Sequence, residues 1–158
     1  MAVDTFIKIN GIDGEAEDHG HAKEIQVLAW SWGVSQAGTM AHGGGGGAGK
    51  ANFQDLNFTH YVDKASTKLF LACATGKHIP DATLIVRKAG EKQQEYLMTK
   101  LYDLLVTNVS TSASSEMPIE QVTLNFKKIE VGYKPQKADG SLDAEIKVGY
   151  DLKLNKAA

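Results

Sequence analysis

The sequence has 158 residues, of which 42% are hydrophobic and 23% are charged, and this composition suits one globular domain with a core of its own. Its formal net charge is −2 and its lysines are spread along the chain, which argues against a nucleic-acid binder with a basic face. Cys73 is the one cysteine, so an internal disulfide is excluded. We therefore predict a single domain over residues 1–158 that needs neither a cofactor nor an oxidising compartment.

The sequence also lacks the signals of membrane targeting. Residues 1–6 do not combine a basic segment with an apolar run, so no secretory signal peptide is predicted. No apolar stretch approaches the roughly 20 residues that a helix needs to cross a bilayer. We expect a protein that folds in the cytoplasm and does not insert into a membrane, and whose export would require a machine that accepts folded cargo.

The first two predicted elements are strands. Residues 5–9 are β-branched and aromatic, and turn residues follow them. Residues 24–34 alternate between two faces, and the face that carries Trp30 and Trp32 is expected to pack on the core. The other face ends in small residues, which leave room for another backbone or an open space: Ala29, Ser31 and Gly33.

Residues 36–52 form the most unusual stretch, because they include an uninterrupted glycine run at 43–47. Ordering glycine costs much backbone entropy, so we predict a long flexible loop, and long loops inside compact domains are usually functional. Residues 44–50 also fit G-x-x-x-x-G-K, the start of a phosphate-binding loop. However, Ala51 stands where a Ser or Thr would hold Mg²⁺, and the required strand and helix are not predicted on either side. A phosphate-handling enzyme is therefore a disfavoured alternative.

One helix is predicted, over residues 64–75. Asp63 is placed to be its N-cap, and Gly76 is placed to end it. Apolar residues recur at helical spacing and indicate one buried face: Val62, Ala65, Leu69, Ala72 and Cys73.

The remaining chain has the alternation of strands. We predict strands within residues 55–61, 81–88, 95–110, 121–133 and 145–154, with a bend or bulge in 95–110. The apolar phase of 121–133 shifts between Phe126 and Ile129, which is the pattern of a β-bulge. Many strands and one helix predict a mainly β fold, a β-barrel of two packed antiparallel sheets with one α-helix at its side.

No catalytic set is evident. Residues 33–38 resemble a nucleophile elbow but are one residue too long. His19 and His21 lie among acidic residues, yet nothing completes a four-ligand metal site, so a solvated loop is the better interpretation. Cys73 lies on the predicted apolar helix face, where an inert buried thiol is expected. We therefore predict a protein that is not an enzyme and holds no metal.

Several segments of the sequence are typical of one known family. They are residues 1–9, 27–33, 43–50, 52–56, 72–78, 122–126 and 133–136. With these segments the sequence resembles, over nearly its whole length and in family order, the haemolysin-coregulated proteins (Hcp), the tube subunits of bacterial type VI secretion.

The resemblance implies a structural role. Members of this family are β-barrels with one helix that form hexameric rings, and the rings stack into a hollow tube inside a contractile sheath. The implied partners are further copies of the chain, the spike protein, the sheath, the baseplate and effector proteins carried or chaperoned in the ring lumen. The implied location is the bacterial cytoplasm, followed by secretion to the extracellular space or into a target cell without a signal peptide.

Two sets of residues are candidates for these contacts. The family's extended loop contacts a neighbouring ring, which assigns ring stacking to Met40, His42, Gly43, Gly44, Gly45, Gly46, Gly47 and Lys50. The family's carrier role, combined with strand alternation, assigns lumen or effector contact to Ala29, Ser31 and Gly33, for which tight packing under a loop is the alternative. The competing interpretation of the whole chain is a monomeric or dimeric β-barrel that binds a small ligand against Trp30 or Trp32.

Overall fold

The structure is a computed structural model that describes residues 2–38, 40–41, 47, 49–90 and 92–158. Over these residues the chain forms nine strands and one helix. In chain order they are β1 (Val3–Ile9), β2 (Ile25–Gln26), β3 (Ala29–Ser35), β4 (Asn52–Tyr61), α1 (Ala65–Thr75), β5 (Ile79–Lys88), β6 (Gln94–Ser112), β7 (Ile119–Tyr133), β8 (Ile146–Asp151) and β9 (Lys156–Ala157). The predicted mainly β class with one helix is confirmed. No helix of the described residues is long and apolar enough to cross a membrane.

All strand pairs are antiparallel and belong to one hydrogen-bonded sheet in the order β2-β1-β5-β6-β7-β4-β3. β7 pairs with β6 along one edge, whereas its other edge pairs first with β4 and then with β8. β9 pairs with β8. Because β2 and β3 are consecutive in the chain, the two ends of this order are joined by the backbone itself, and no ladder closes the sheet within the described residues.

The predicted strand over residues 24–34 is divided into β2 and β3. The division falls where the backbone changes its pairing partner: Val27 N donates to Thr5 O of β1 at 2.8 Å, and Leu28 N donates to Thr59 O of β4 at 2.8 Å. The chain therefore crosses from one end of the sheet to the other at these two residues. Sequence alternation continues through such a crossing, so it does not mark the break.

Midway along the hairpin of β6 and β7, the face of the hairpin that is directed towards the core changes. Leu101 pairs with Ile129 and Leu104 pairs with Phe126, and all four side chains are buried although the two pairs are an odd number of residues apart. The phase shift predicted from the sequence is therefore present, but the bulge proposed for it in β7 is wrong, because the register does not change there. Both strands turn together beside Asp103, whose φ of 51° lies in the left-handed region.

A register shift does occur in β6 further along, between Val106 and Asn108. It confirms the bulge predicted within residues 95–110. One core cluster collects side chains from α1 and from β1, β2, β4, β5, β6 and β7. The sheet therefore curves around a single apolar interior.

Helix α1 packs on that interior through Ala65, Leu69 and Ala72. The N-cap is Lys64, so the prediction of Asp63 at that position is wrong by one residue. Asp63 still satisfies a free amide, because its Oδ1 accepts a hydrogen bond from Ala65 N at 2.8 Å. At the other end Gly76 adopts φ 66° and ends the helix as predicted.

Two members of the predicted apolar helix face are less enclosed than expected. Cys73 is half-buried and Val62, which precedes the helix, is exposed. Phe70 and Leu71 are exposed on the outer side of α1, although both are large and apolar. The helix therefore presents apolar surface on two sides.

Candidate assembly surfaces

The residues predicted for lumen contact lie on an edge strand. β3 pairs with β4 on one side and has no partner strand on the other within the described residues. Ala29 and Ser31 are exposed, and Gly33 is half-buried. The alternate residues Trp30 and Trp32 pack against the core, as predicted. The three small residues thus share an open strand, while their contact with cargo stays a prediction.

Gly33 is not required by a close backbone neighbour. A Cβ built at this position would lie 2.9 Å from Oε1 of Gln54, which is the movable end of a side chain. The register between β3 and β4 shifts between Ser31 and Gly33. The small residue therefore lies in an irregular part of the ladder, and the atoms nearest to a Cβ there belong to the side chain of Gln54.

The predicted stacking loop connects β3 to β4 beyond the pair Ser35–Asn52. At its base Gly49 N donates to Ala37 O at 3.4 Å. Of the predicted stacking residues, Met40, Gly47 and Lys50 are exposed. The others lie outside the described residues: His42, Gly43, Gly44, Gly45 and Gly46. Since β4 begins two residues after Lys50, this segment lacks the helix that a phosphate-binding loop requires.

An uncovered apolar surface lies on β8. Tyr133 pairs with Ile146 and Val131 pairs with Val148, in line with the buried Ile129. Ile146 and Val148 nevertheless are 62% and 69% exposed. They therefore occupy core-facing positions that the described part of the chain does not cover. We call Tyr133, Ile146 and Val148 the strand patch.

The backbone beside this patch is also open. β9 pairs only with Tyr150 and Asp151, and Ala158 N donates to Gly149 O. Residues 146–148 have no partner strand on that edge among the described residues. A second apolar surface, the helix patch, is formed by Val62, Phe70 and Leu71.

The acidic loop that contains His19 and His21 is fixed to the sheet by contacts of the His21 ring. Nδ1 of His21 lies 2.8 Å from Glu24 and its Nε2 lies 2.7 Å from Glu95, while the ring stacks on Phe6 at 4.5 Å. His19 is exposed. Both ring nitrogens of His21 therefore contact glutamates, and the described residues contain no group of three side chains suited to a metal ion.

The same loop is held by Arg87, which is buried. Its guanidinium donates to Asp18 through both Nη atoms and to Asp4 Oδ2 at 3.3 Å. The hydrogen bonds from Arg87 lower the pKa of Asp18 to about 2. Sequence reasoning missed this contact because Arg87 and Asp18 are far apart in the chain and come together only through the fold.

A second buried ionic pair joins β4 to β7. His60 Nε2 lies 2.9 Å from Glu120 Oε1, and both side chains are enclosed. Burial by itself lowers the pKa of His60, but the Asp63 carboxylate and the bond to Glu120 outweigh it and raise that pKa above its ordinary value. The pair therefore links the two neighbouring strands at a buried position of the sheet.

Comparison with known proteins identifies the family of the chain. A family model described as "Type VI secretion system effector, Hcp" matches residues 6–133. The chain belongs to the Hcp family. It is 54% identical over 162 residues to the protein hcp1 of Pseudomonas aeruginosa, and the alignment covers 100% of both chains. The predicted resemblance is confirmed.

Solved Hcp structures share the fold. The crystal structure of Hcp1 from Salmonella typhimurium is 40% identical, has a TM-score of 0.81 and is covered over 100% of both chains. A structure described as a type six secretion system protein is 30% identical, has a TM-score of 0.93 and is covered over 99% of this chain and 100% of its own. The Hcp family thus accounts for the fold, and it places the chain among the proteins of the type VI secretion system.

Proposed function

We propose that the chain is a structural subunit of the type VI secretion tube, in which copies form hexameric rings that stack into a hollow tube. The observation that carries this proposal is the strand patch. Ile146 and Val148 are large apolar residues at core-facing positions of a strand whose backbone edge is open. Exposed edges of this kind invite pairing with another chain, so proteins usually cover or charge them. A neighbouring copy would provide the cover.

A closed ring requires that one surface of each subunit meets a different surface of the next. The strand patch on β8 and the helix patch on α1 are two such surfaces on separate elements. Burying one large aliphatic side chain contributes roughly 1.5–3 kcal/mol. Association costs roughly 4–15 kcal/mol, so a stable contact needs several of these side chains at once.

Stacking of rings is assigned to the loop between β3 and β4, through Met40, His42, Gly43, Gly44, Gly45, Gly46, Gly47 and Lys50. Met40 and Lys50 are exposed, which suits a contact with another ring. Effector contact in the lumen is assigned to Ala29, Ser31 and Gly33. Small side chains on an open strand leave room for cargo and add little specificity of their own.

In this proposal the chain has no enzymatic role. The enclosed ionisable residues His60 and Glu120 bind each other, and Arg87 binds aspartates. The implied partners are further copies of the chain, the spike, the sheath, the baseplate and effectors, and export follows from contraction of the sheath around the tube. The competing monomeric binding module would use Trp30 or Trp32, yet both side chains pack against the core.

Negative-stain electron microscopy of the purified protein tests the proposal. We expect rings with six-fold symmetry and an open centre, and short stacks of rings at high protein concentration. Particles of single-chain size at every concentration would contradict ring formation. Rings that never stack would contradict the role assigned to the loop between β3 and β4.

A further inference from the structure

A groove between α1 and the turn after β1 has the properties of a docking site. Its volume is about 340 Å³, and its floor consists of the buried residues Ile12, Ala72 and Ile79. Leu71 provides an exposed apolar wall. Sites that receive ligands or side chains typically have this size and a mainly apolar lining.

The polar part of this groove is basic. Lys68 and Lys77 line it, and no carboxylate of the described residues does. Neither amine forms an ion pair with any residue in the described ranges. The groove therefore fits an apolar group that has a carboxylate directly beside it.

The hairpin tip, residues 113–118 between β6 and β7, offers this combination. Every residue of the tip is exposed, and Met117 is 63% exposed. Glu116 precedes it and has no ion-pair partner among the residues that the structure describes. Met117 is flexible and apolar, so it adapts readily to an irregular pocket.

The tip does not occupy the groove of its own chain. Val62 N donates to Pro118 O at 3.1 Å, which holds the tip beside the start of α1. The groove runs along α1 from Lys68 to Thr75, whereas the α1 side chains beside the hairpin are Ser66, Thr67 and Phe70. A helix rises about 1.5 Å per residue, so Thr75 lies about 15 Å beyond Ala65. A tip that enters such a groove therefore comes from another copy.

We propose that the groove receives the hairpin tip of a neighbouring copy, with Met117 on the apolar floor and Glu116 facing Lys68 and Lys77. This inference rests on the self-assembly proposed above and specifies one of its contacts. Tip and groove are different surfaces. Each copy therefore engages one neighbour through its tip and the other through its groove, as a closed ring requires.

Disulfide trapping tests the contact directly. In a Cys73→Ala background, Met117→Cys is combined with Leu71→Cys, and disulfide formation requires the two Cα atoms to lie within about 7 Å. The matched control combines Met117→Cys with Ala74→Cys, because Ala74 is exposed on the same helix but does not line the groove. We expect covalent dimers and larger species from the first pair and not from the control. Absence of covalent dimers from the first pair, or equal amounts from both, would overturn the proposal.

Charge reversal provides an independent test. Lys68→Glu combined with Lys77→Glu, and Glu116→Lys alone, are each expected to raise the concentration of half-assembly at least about tenfold by placing like charges together. Combining all three changes should restore assembly to nearly the wild-type concentration. If every variant assembles as the wild type does, the tip–groove contact is wrong while the proposed function stands. If the wild type itself stays a single chain, the proposed function and the contact both fail.

Discussion

Nε2 of His60 lies 2.9 Å from Oε1 of Glu120, directly across the ladder between β4 and β7, and both side chains are enclosed. The stability that this pair contributes to the sheet therefore depends on the protonation state of His60. Because the folded-state pKa of His60 is raised, the folded protein keeps a proton that the unfolded chain has already lost.

The stabilisation from His60 is therefore complete below the pKa of an ordinary histidine, about 6.5, and is lost as pH rises through the folded-state value. We expect the free energy of unfolding of the wild type to fall over that window more steeply than that of His60→Gln. Urea denaturation at several pH values measures the two slopes, and His78→Gln, at an exposed histidine, is the matched control. Equal slopes for wild type and His60→Gln would contradict this.

For Asp18 we expect the opposite pH dependence, because its contribution to the free energy of unfolding is lost in acid. Its pKa is lowered to about 2 by the hydrogen bonds from Arg87, so its contribution is present above the ordinary value of an aspartate and is lost as pH falls towards 2. Asp18→Asn should flatten the loss of stability over this range. Tryptophan fluorescence during acid titration follows the change, since Trp30 and Trp32 both pack on the core. Asp13→Asn, at an exposed aspartate of the same loop, is expected to titrate like the wild type.

Substitutions in the strand patch are expected to impair assembly without impairing folding. Ile146→Asp combined with Val148→Asp should leave the chain folded, because both side chains are exposed in the isolated protein. Burying two charges in a subunit contact is unfavourable, so the assembled fraction should fall at least about tenfold at equal concentration. Gel filtration with circular dichroism measures both properties. Leu154→Asp places one such charge at an exposed leucine outside the patch and is compared with Val148→Asp alone; an equal loss in the two would argue against a specific contact.

Changes in the loop between β3 and β4 are expected to reduce the stacking of rings without affecting ring formation. Deleting Gly43 to Gly47 should preserve folding and ring size, because a surface loop contributes little to the core, and should reduce stacking. Sedimentation of assembled material compared with ring-sized material measures the difference. Replacing the five residues by a Ser-rich segment of equal length distinguishes loop length from loop sequence. Loss of folded protein on deletion would refute the assignment.

Local sequence signals predicted the elements whose causes are local. Gly76 ends α1 because a glycine accepts the left-handed conformation there, and the alternation around Trp30 and Trp32 identified the side of β3 that packs inward. The same alternation predicted β5, β6 and β7 with each boundary within two residues of the observed one.

Features that depend on which strands are neighbours could not be predicted from the local sequence pattern. The phase shift between Phe126 and Ile129 was visible, but its cause is a joint turn of β6 and β7 beside Asp103, which requires knowledge of the register. The crossing at Val27 and Leu28 likewise depends on two different neighbouring strands.

The strand patch and the contacts of the acidic loop could not be predicted from local pattern either. Alternation predicted a strand within residues 145–154, of which β8 covers Ile146–Asp151 and a turn follows over residues 152–155. Alternation does not reveal, however, whether a face is covered. That Ile146 and Val148 lie uncovered follows only from the position of β8, which pairs with β7 on one edge and with β9 only at Tyr150 and Asp151. The contacts of Arg87 and Glu95 with the acidic loop arise from distant residues that no spacing rule connects.

The solution mass of the purified wild-type protein, measured by light scattering after gel filtration, tests the central claim most directly. Ring assembly predicts a mass of six chains of 17.0 kDa each. A mass of one chain that stays constant as concentration increases would contradict a self-assembling subunit and favour the monomeric binding module.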